Sequence, residues 1–187
     1  MPDRTPAEAY RSLAEPIQTA LNTITVGRLS LLGIRSRIPV GTPFNVSLNG
    51  GTPSPLVLSG GVNQLFIEVA FWARIEPHLL ESRRYDCFQT AYWYALSNEI
   101  GRELIAYHWT PDVRHLDRRF PHLHVGRLVT SQSKFIPTEF HKLHVPTNLV
   151  SVQHLVRFAI QELGVSVRPG LNRNEVLANL NREIGDS

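Results

Sequence analysis

The sequence predicts an α+β fold: a curved antiparallel β-sheet, arranged as a meander, with N-terminal and C-terminal helices packed against it. Three observations lead there. Helical apolar spacing is confined to the two ends of the chain, and Val26 to Val129 is a succession of short β-type runs broken by Gly and Pro. No helical pattern of about ten residues separates those runs, as the crossovers of a parallel sheet would require. At 187 residues, 42% hydrophobic and 19% charged, the chain has the composition of a globular protein and the length to bury a core. We read residues 1–187 as one domain, with a helical segment over 1–25, mainly β structure over 26–146 and helices over 147–187.

The opening Thr5-Pro6-Ala7-Glu8 is a helix start. Thr5 can cap, Pro6 needs no amide partner in the first turn, and Glu8 can reach back to the cap. Tyr10, Leu13, Ile17, Leu21 and Ile24 follow at helical spacing, with a kink or restart expected at Pro16. Strands are expected at Leu29 to Ile34, Phe44 to Leu48 and Pro55 to Leu58, with Asn49-Gly50 as a hairpin signal. Longer strands are expected at Gln64 to Ile75, Cys87 to Leu96, Glu103 to Trp109 and Leu123 to Val129, with a turn at Asn98 to Gly101. In Tyr92-Trp93-Tyr94, core packing is the expectation for all three rings. Toward the C-terminus, Val152, Leu155, Val156, Ala159 and Leu163 form an apolar stripe behind Asn148 and Ser151, ended by Gly164. A last helix starts at Asn172 with Glu175 three residues on, and Val165 to Gly170 is a break that could hinge.

Several function classes are excluded or disfavoured. The one cysteine, Cys87, can form neither an internal disulfide nor a thiolate zinc cluster, which fits a reducing cytoplasm. No basic-then-apolar leader opens the sequence, so no signal peptide is expected. Ile38 to Ile67 carries no charge, but Pro39, Pro43, Pro53 and Pro55 prevent a spanning helix, so no membrane association is expected.

The net charge of +3 is concentrated in one window. From His108 to His144 there are six basic residues (Arg114, Arg118, Arg119, Arg127, Lys134, Lys142) against Asp112, Asp117 and Glu139. The same window holds six of the eight histidines: His108, His115, His122, His124, His141 and His144. A positive field that strengthens as histidines protonate suits a polyanion such as RNA, although a solvated loop would also look this way.

Within Phe120-Pro121-His122-Leu123-His124-Val125-Gly126, strand alternation points His122 and His124 to one face. Two such imidazoles suit general acid–base catalysis or metal binding, or they can be structural. The neighbouring residues do not complete the familiar metal patterns: Arg127 to Val129 lack the glutamate of a cupin, and Gly126 breaks a run of three alternating histidines. The remaining metal option joins His122 and His124 to His141 and His144, disfavoured by the arginines on both sides. No metal or other cofactor is therefore expected.

RNA cleavage by 2′-hydroxyl attack needs a base, an acid and a cation at the phosphate, and this window supplies those residue types. The expected catalytic set is His122, His124, His108 and Arg119; Arg114, Arg118, Arg127 and Tyr107 are expected to bind nucleic acid.

From about Gln64 to Gly164 the order of motifs resembles the TumE-type toxins of bacterial toxin–antitoxin modules. The residues that carry the resemblance are Tyr92-Trp93-Tyr94-Ala95-Leu96, Leu104-Ile105-Ala106-Tyr107-His108, Phe120-Pro121-His122-Leu123-His124, and Pro146-Thr147-Asn148-Leu149 leading into a helix. The resemblance implies an endoribonuclease toxin that cleaves RNA without a bound cofactor and that could have a cognate antitoxin as partner. Two alternatives stay open: a non-catalytic subunit whose basic histidine-rich loop binds nucleic acid or protein, and a metal-dependent hydrolase.

Overall fold

The computed structural model describes residues 3–34, 37–59, 64–111, 120–126 and 145–185. Helix α1 (Pro6–Leu21) opens on the expected capping box. The Thr5 hydroxyl oxygen accepts from the Glu8 amide at 3.2 Å, and the Glu8 carboxylate accepts from the Thr5 amide at 2.9 Å. Pro16 causes no restart; the helix runs through it. The ring removes one amide donor, but Ala14, Ile17, Ala20 and Leu21 are buried around it, and tertiary packing outweighs the local defect.

Among the described residues eight strands follow: β1 (Leu29–Leu31), β2 (Phe44–Leu48), β3 (Ser54–Val57), β4 (Gln64–Pro77), β5 (Tyr85–Asn98), β6 (Glu103–Trp109), β7 (His122–Val125) and β8 (Val145–Pro146). They form one antiparallel sheet in the order β1-β2-β4-β5-β6-β7-β8, with β3 also on β4. The α+β meander expected from sequence is therefore the fold. The expected hairpin at Asn49-Gly50 is not. Asn49 and Gly50 do adopt positive φ (48° and 65°), but β2 and β3 pair with successive halves of β4 rather than with each other. The turn is a corner that lays two short strands end to end along a long one.

Helix α2 (Val152–Gln161) is capped by Ser151, and α3 (Arg173–Gly185) begins after Asn172, whose side-chain oxygen accepts from the Asn174 and Glu175 amides. Between them, the segment read as a hinge is tied to the fold: Ser166 donates to the Val57 carbonyl and Arg168 to the Thr23 carbonyl, each at 2.8 Å. No helix among the described residues is long and apolar enough to cross a membrane.

One apolar cluster joins the helices to the sheet. It includes Ile17 and Leu21 of α1, Ile67, Val69, Phe71 and Ile75 of β4, Tyr92, Tyr94 and Leu96 of β5, and Leu155, Val156 and Ile160 of α2. Because side chains alternate along a strand, these residues fix which face of the sheet the helices cover. The residues between them belong to the opposite face.

Candidate functional site

That opposite face carries the histidines. On β5, Tyr92, Tyr94 and Leu96 point to the core, so Trp93 points away and is 46% exposed. Directly opposed residues in a sheet share a face, and the register sets Trp93 across from His108 and His108 across from His122. The next row on the same face runs Ala95, Ala106, His124. Three imidazoles from two adjacent strands are thus gathered beside one indole.

Their spacing is close. Ring centroids lie 4.6 Å apart for His108 and His124, 5.0 Å for His122 and His124, and 5.6 Å for His108 and His122. Trp93 lies 4.6 Å from His108. One ring nitrogen from each histidine can be chosen so that all three are within 4.8 Å of one another. His122 is buried at 7% exposure, while His108 and His124 are half-buried. Nδ1 of His122 lies 3.0 Å from the Phe120 carbonyl oxygen. A carbonyl can only accept, so Nδ1 carries the proton and, in the neutral ring, Nε2 carries the lone pair.

Backbone contacts hold β7 between β6 and β8 at this point. The Gly126 amide donates to the Leu104 carbonyl at 2.7 Å, and the Thr147 amide donates to the Pro121 carbonyl at 2.8 Å. A Cβ on Gly126 would overlap the Glu103 carbonyl group, so glycine is what allows this approach. The residue that ended the run of alternating histidines is the one that seats the strand.

Two further features share the face. Trp72 and Phe88, opposed in the register to Ala91 and Arg74, are 39% and 49% exposed, so with Trp93 they give an open sheet surface three accessible aromatic rings. Glu103, opposed to Ser97, has its carboxyl pKa raised by burial and then by the field of Glu68, which lies across from Ala95.

Of the expected catalytic residues, the structure brings together His108, His122 and His124. Arg119 lies outside the described residues, as do Arg114, Arg118 and Arg127 and the proposed metal partners His141 and His144. Tyr107 is not at this site. It stands opposite Tyr94 on the helix-covered face, where burial raises its pKa, so one step along β6 separates it from His108 by the thickness of the sheet. Trp93 is the residue that the sequence reading placed wrongly, in the core. Counting by two from Tyr92, Tyr94 and Leu96 would have turned it outward.

A concavity of about 300 Å³ lies toward the helices and is lined by Gln89, Tyr92, Trp109, Val150, Ser151 and His154 among others. His154 is half-buried. Its Nδ1 accepts from the Ser151 amide at 3.4 Å, completing the cap of α2, and its pKa is lowered by burial and then by Arg157. These contacts account for His154 as a capping residue.

No family model matches this chain, and no curated protein or solved structure is similar to it. The site must be read from its own chemistry. A cluster of imidazoles on an open face can accept a proton, pass it between rings, or converge on a cation.

Proposed function

We propose that this chain cleaves RNA, with His108, His122 and His124 as the reaction centre and the aromatics of the same sheet face as a platform for unpaired bases. The observation that carries the reading is the shared patch of three imidazoles and Trp93, with His108 4.6 Å from both the indole and His124. Exposed aromatic rings on a sheet stack single-stranded bases, and that stacking contributes about 1–3 kcal/mol per base.

The reaction is 2′-oxygen attack on the adjacent phosphorus. The P–O bond to the 5′-oxygen breaks, leaving a 2′,3′-cyclic phosphate and a 5′-hydroxyl. A base and an acid on opposite sides of a phosphate would need their nitrogens about 6 Å or more apart, given hydrogen bonds of ~2.8 Å to each reacting oxygen. Nitrogens within 4.8 Å of one another sit on one side of it. We assign the cluster to the proton removed from the 2′-hydroxyl. The acid that protonates the leaving oxygen is assigned to the basic window, and the cation that holds the phosphate to Arg119, whose guanidinium keeps its protons. The single cysteine adds a cytoplasmic location to this proposal, and the toxin resemblance adds a cognate antitoxin.

The test is incubation of the purified chain with end-labelled single-stranded RNA and with the DNA of the same sequence. Cleavage of RNA alone, leaving cyclic phosphate ends, is the expected result. His124→Ala should slow it by about 10²–10⁴ while the far-ultraviolet circular dichroism is unchanged. RNA bound but never cut would leave the platform as a binding surface, the reading that Trp72, Phe88 and Trp93 favour on their own. Equal cutting of DNA would rule out the 2′-hydroxyl as nucleophile.

A further inference from the structure

The geometry points to a divalent-cation site, of the zinc class, formed by His108, His122 and His124. This inference takes its location from the reaction centre proposed above, but it concerns metal binding and stands without RNA. It departs from the metal-free centre expected from sequence, where ligands were sought in His141 and His144 and His108 was given only a catalytic role.

Four observations converge. First, each histidine presents a ring nitrogen within 4.8 Å of the other two. A tetrahedral ion with bonds of about 2.0–2.1 Å to imidazole requires nitrogens about 3.4 Å apart, a closure of ~1.4 Å at most, within reach of small side-chain rotations. Second, the ligands come from paired strands, His108 directly opposite His122 and His124 two residues along the same face. The backbone thus holds them before any ion binds. Third, the Phe120 carbonyl fixes His122 with its proton on Nδ1, the outer hydrogen bond that orients a ligating imidazole and raises its basicity. Fourth, the set is chemically selective. Three imidazoles without thiolate suit zinc, cobalt or nickel and not the oxygen-seeking magnesium or calcium.

Three protein ligands leave a coordination position for water or substrate, as in catalytic rather than structural zinc sites. Neutral imidazoles do not offset the charge of the ion. Glu68, across from Ala95, and Glu103, across from Ser97, lie on the same face of the sheet. For the RNA reaction, His108, His122 and His124 would then hold an ion that supplies Lewis acidity, in place of accepting the 2′ proton themselves.

The full chain, purified without a histidine tag, is stripped with chelator, dialysed and titrated with Co²⁺ alone and with Zn²⁺ alone. We expect about one equivalent of either ion, a tetrahedral visible Co²⁺ spectrum, and a thermal midpoint that rises with Zn²⁺ concentration. His108→Ala, His122→Ala and His124→Ala should each weaken binding at least about tenfold, while His78→Ala and His154→Ala leave it unchanged. Should a cluster variant fail to fold, X-ray absorption on the zinc-loaded wild-type chain counts the imidazole ligands directly, with three expected. No binding by the wild-type chain, or an equivalent that survives all three cluster substitutions, overturns the site. The two proposals fail separately. Zinc held by the cluster with no RNA cleavage removes the nuclease and keeps the metal, whereas cleavage by protein that binds no metal does the reverse.

Discussion

The two faces of this sheet are written by the same strands and could hardly differ more. On the helix-covered face, Tyr92 and Tyr94 stack with ring centroids 4.5 Å apart, and Tyr107 lies opposite Tyr94. Tyr94 donates nothing to solvent; it is fully buried, accepts from Gln89, and has its pKa pushed up by that burial. One residue over, Trp93 and His108 belong to the open face, with His122 and His124 beside them. Aromatic rings on the first face are held for packing. On the second they are available to a ligand. What separates the roles is the phase of a two-residue repeat, fixed by which side α1 covers.

That contrast can be broken experimentally, most severely in the core. Phe71→Ala removes a fully buried ring and should cost about 3–5 kcal/mol, whereas Trp93→Ala on the open face should stay within about 1 kcal/mol. Urea unfolding of both variants measures the difference; similar losses would mean that the open face is as structural as the covered one.

Gly126→Ala comes next. Its Cβ meets the Glu103 carbonyl, so β7 must move off β6, at a cost of about 1–3 kcal/mol. Because His122 and His124 travel with β7, metal binding and RNA cleavage should be lost while α1 and the β4–β5 pairing persist. Hydrogen exchange of the β6 amides, faster only at the β7 edge, would show it.

Trp93→Ala should then weaken single-stranded RNA binding by about 1–3 kcal/mol, and Tyr107→Phe on the other face should leave it unchanged. Fluorescence anisotropy with a labelled oligonucleotide reads both, and equal effects would place the RNA elsewhere.

The smallest expected effect concerns Glu103. Its folded pKa is raised, by burial and then by Glu68, above the ordinary value of 4.5, so the folded state holds the proton more tightly than the unfolded chain. Stability therefore falls as pH rises from the unfolded value through the folded one. Glu103→Gln should raise the thermal midpoint slightly at neutral pH, with the gain vanishing below the ordinary carboxylate range. A gain that grows on acidification would contradict the assignment.

Much of this architecture was legible in the chain. Thr5-Pro6 and Glu8 marked a helix start through a local capping reaction, and Ser151 and Asn172 marked two more. The antiparallel meander followed from strand-type runs with no room for crossover helices. The Asn49-Gly50 hairpin misled because positive φ specifies a tight reversal of local direction but not which strand lies alongside. Both neighbours found a longer edge on β4, where each pairs over four residues.

The sequence by itself determined which residue types crowd the window from His108 to His144, where the long strands β4, β5 and β6 lie, and that His122 and His124 share a face. Those properties depend on neighbours along the chain and on a fixed two-residue repeat. Only the tertiary structure decided that His108 joins them, that Tyr107 does not, and that Trp93 stands in the open. Each of those depends on the register between β5, β6 and β7 and on which face the helices bury. A register slip of one residue would have exchanged His108 for Tyr107 at the site without changing a single local preference.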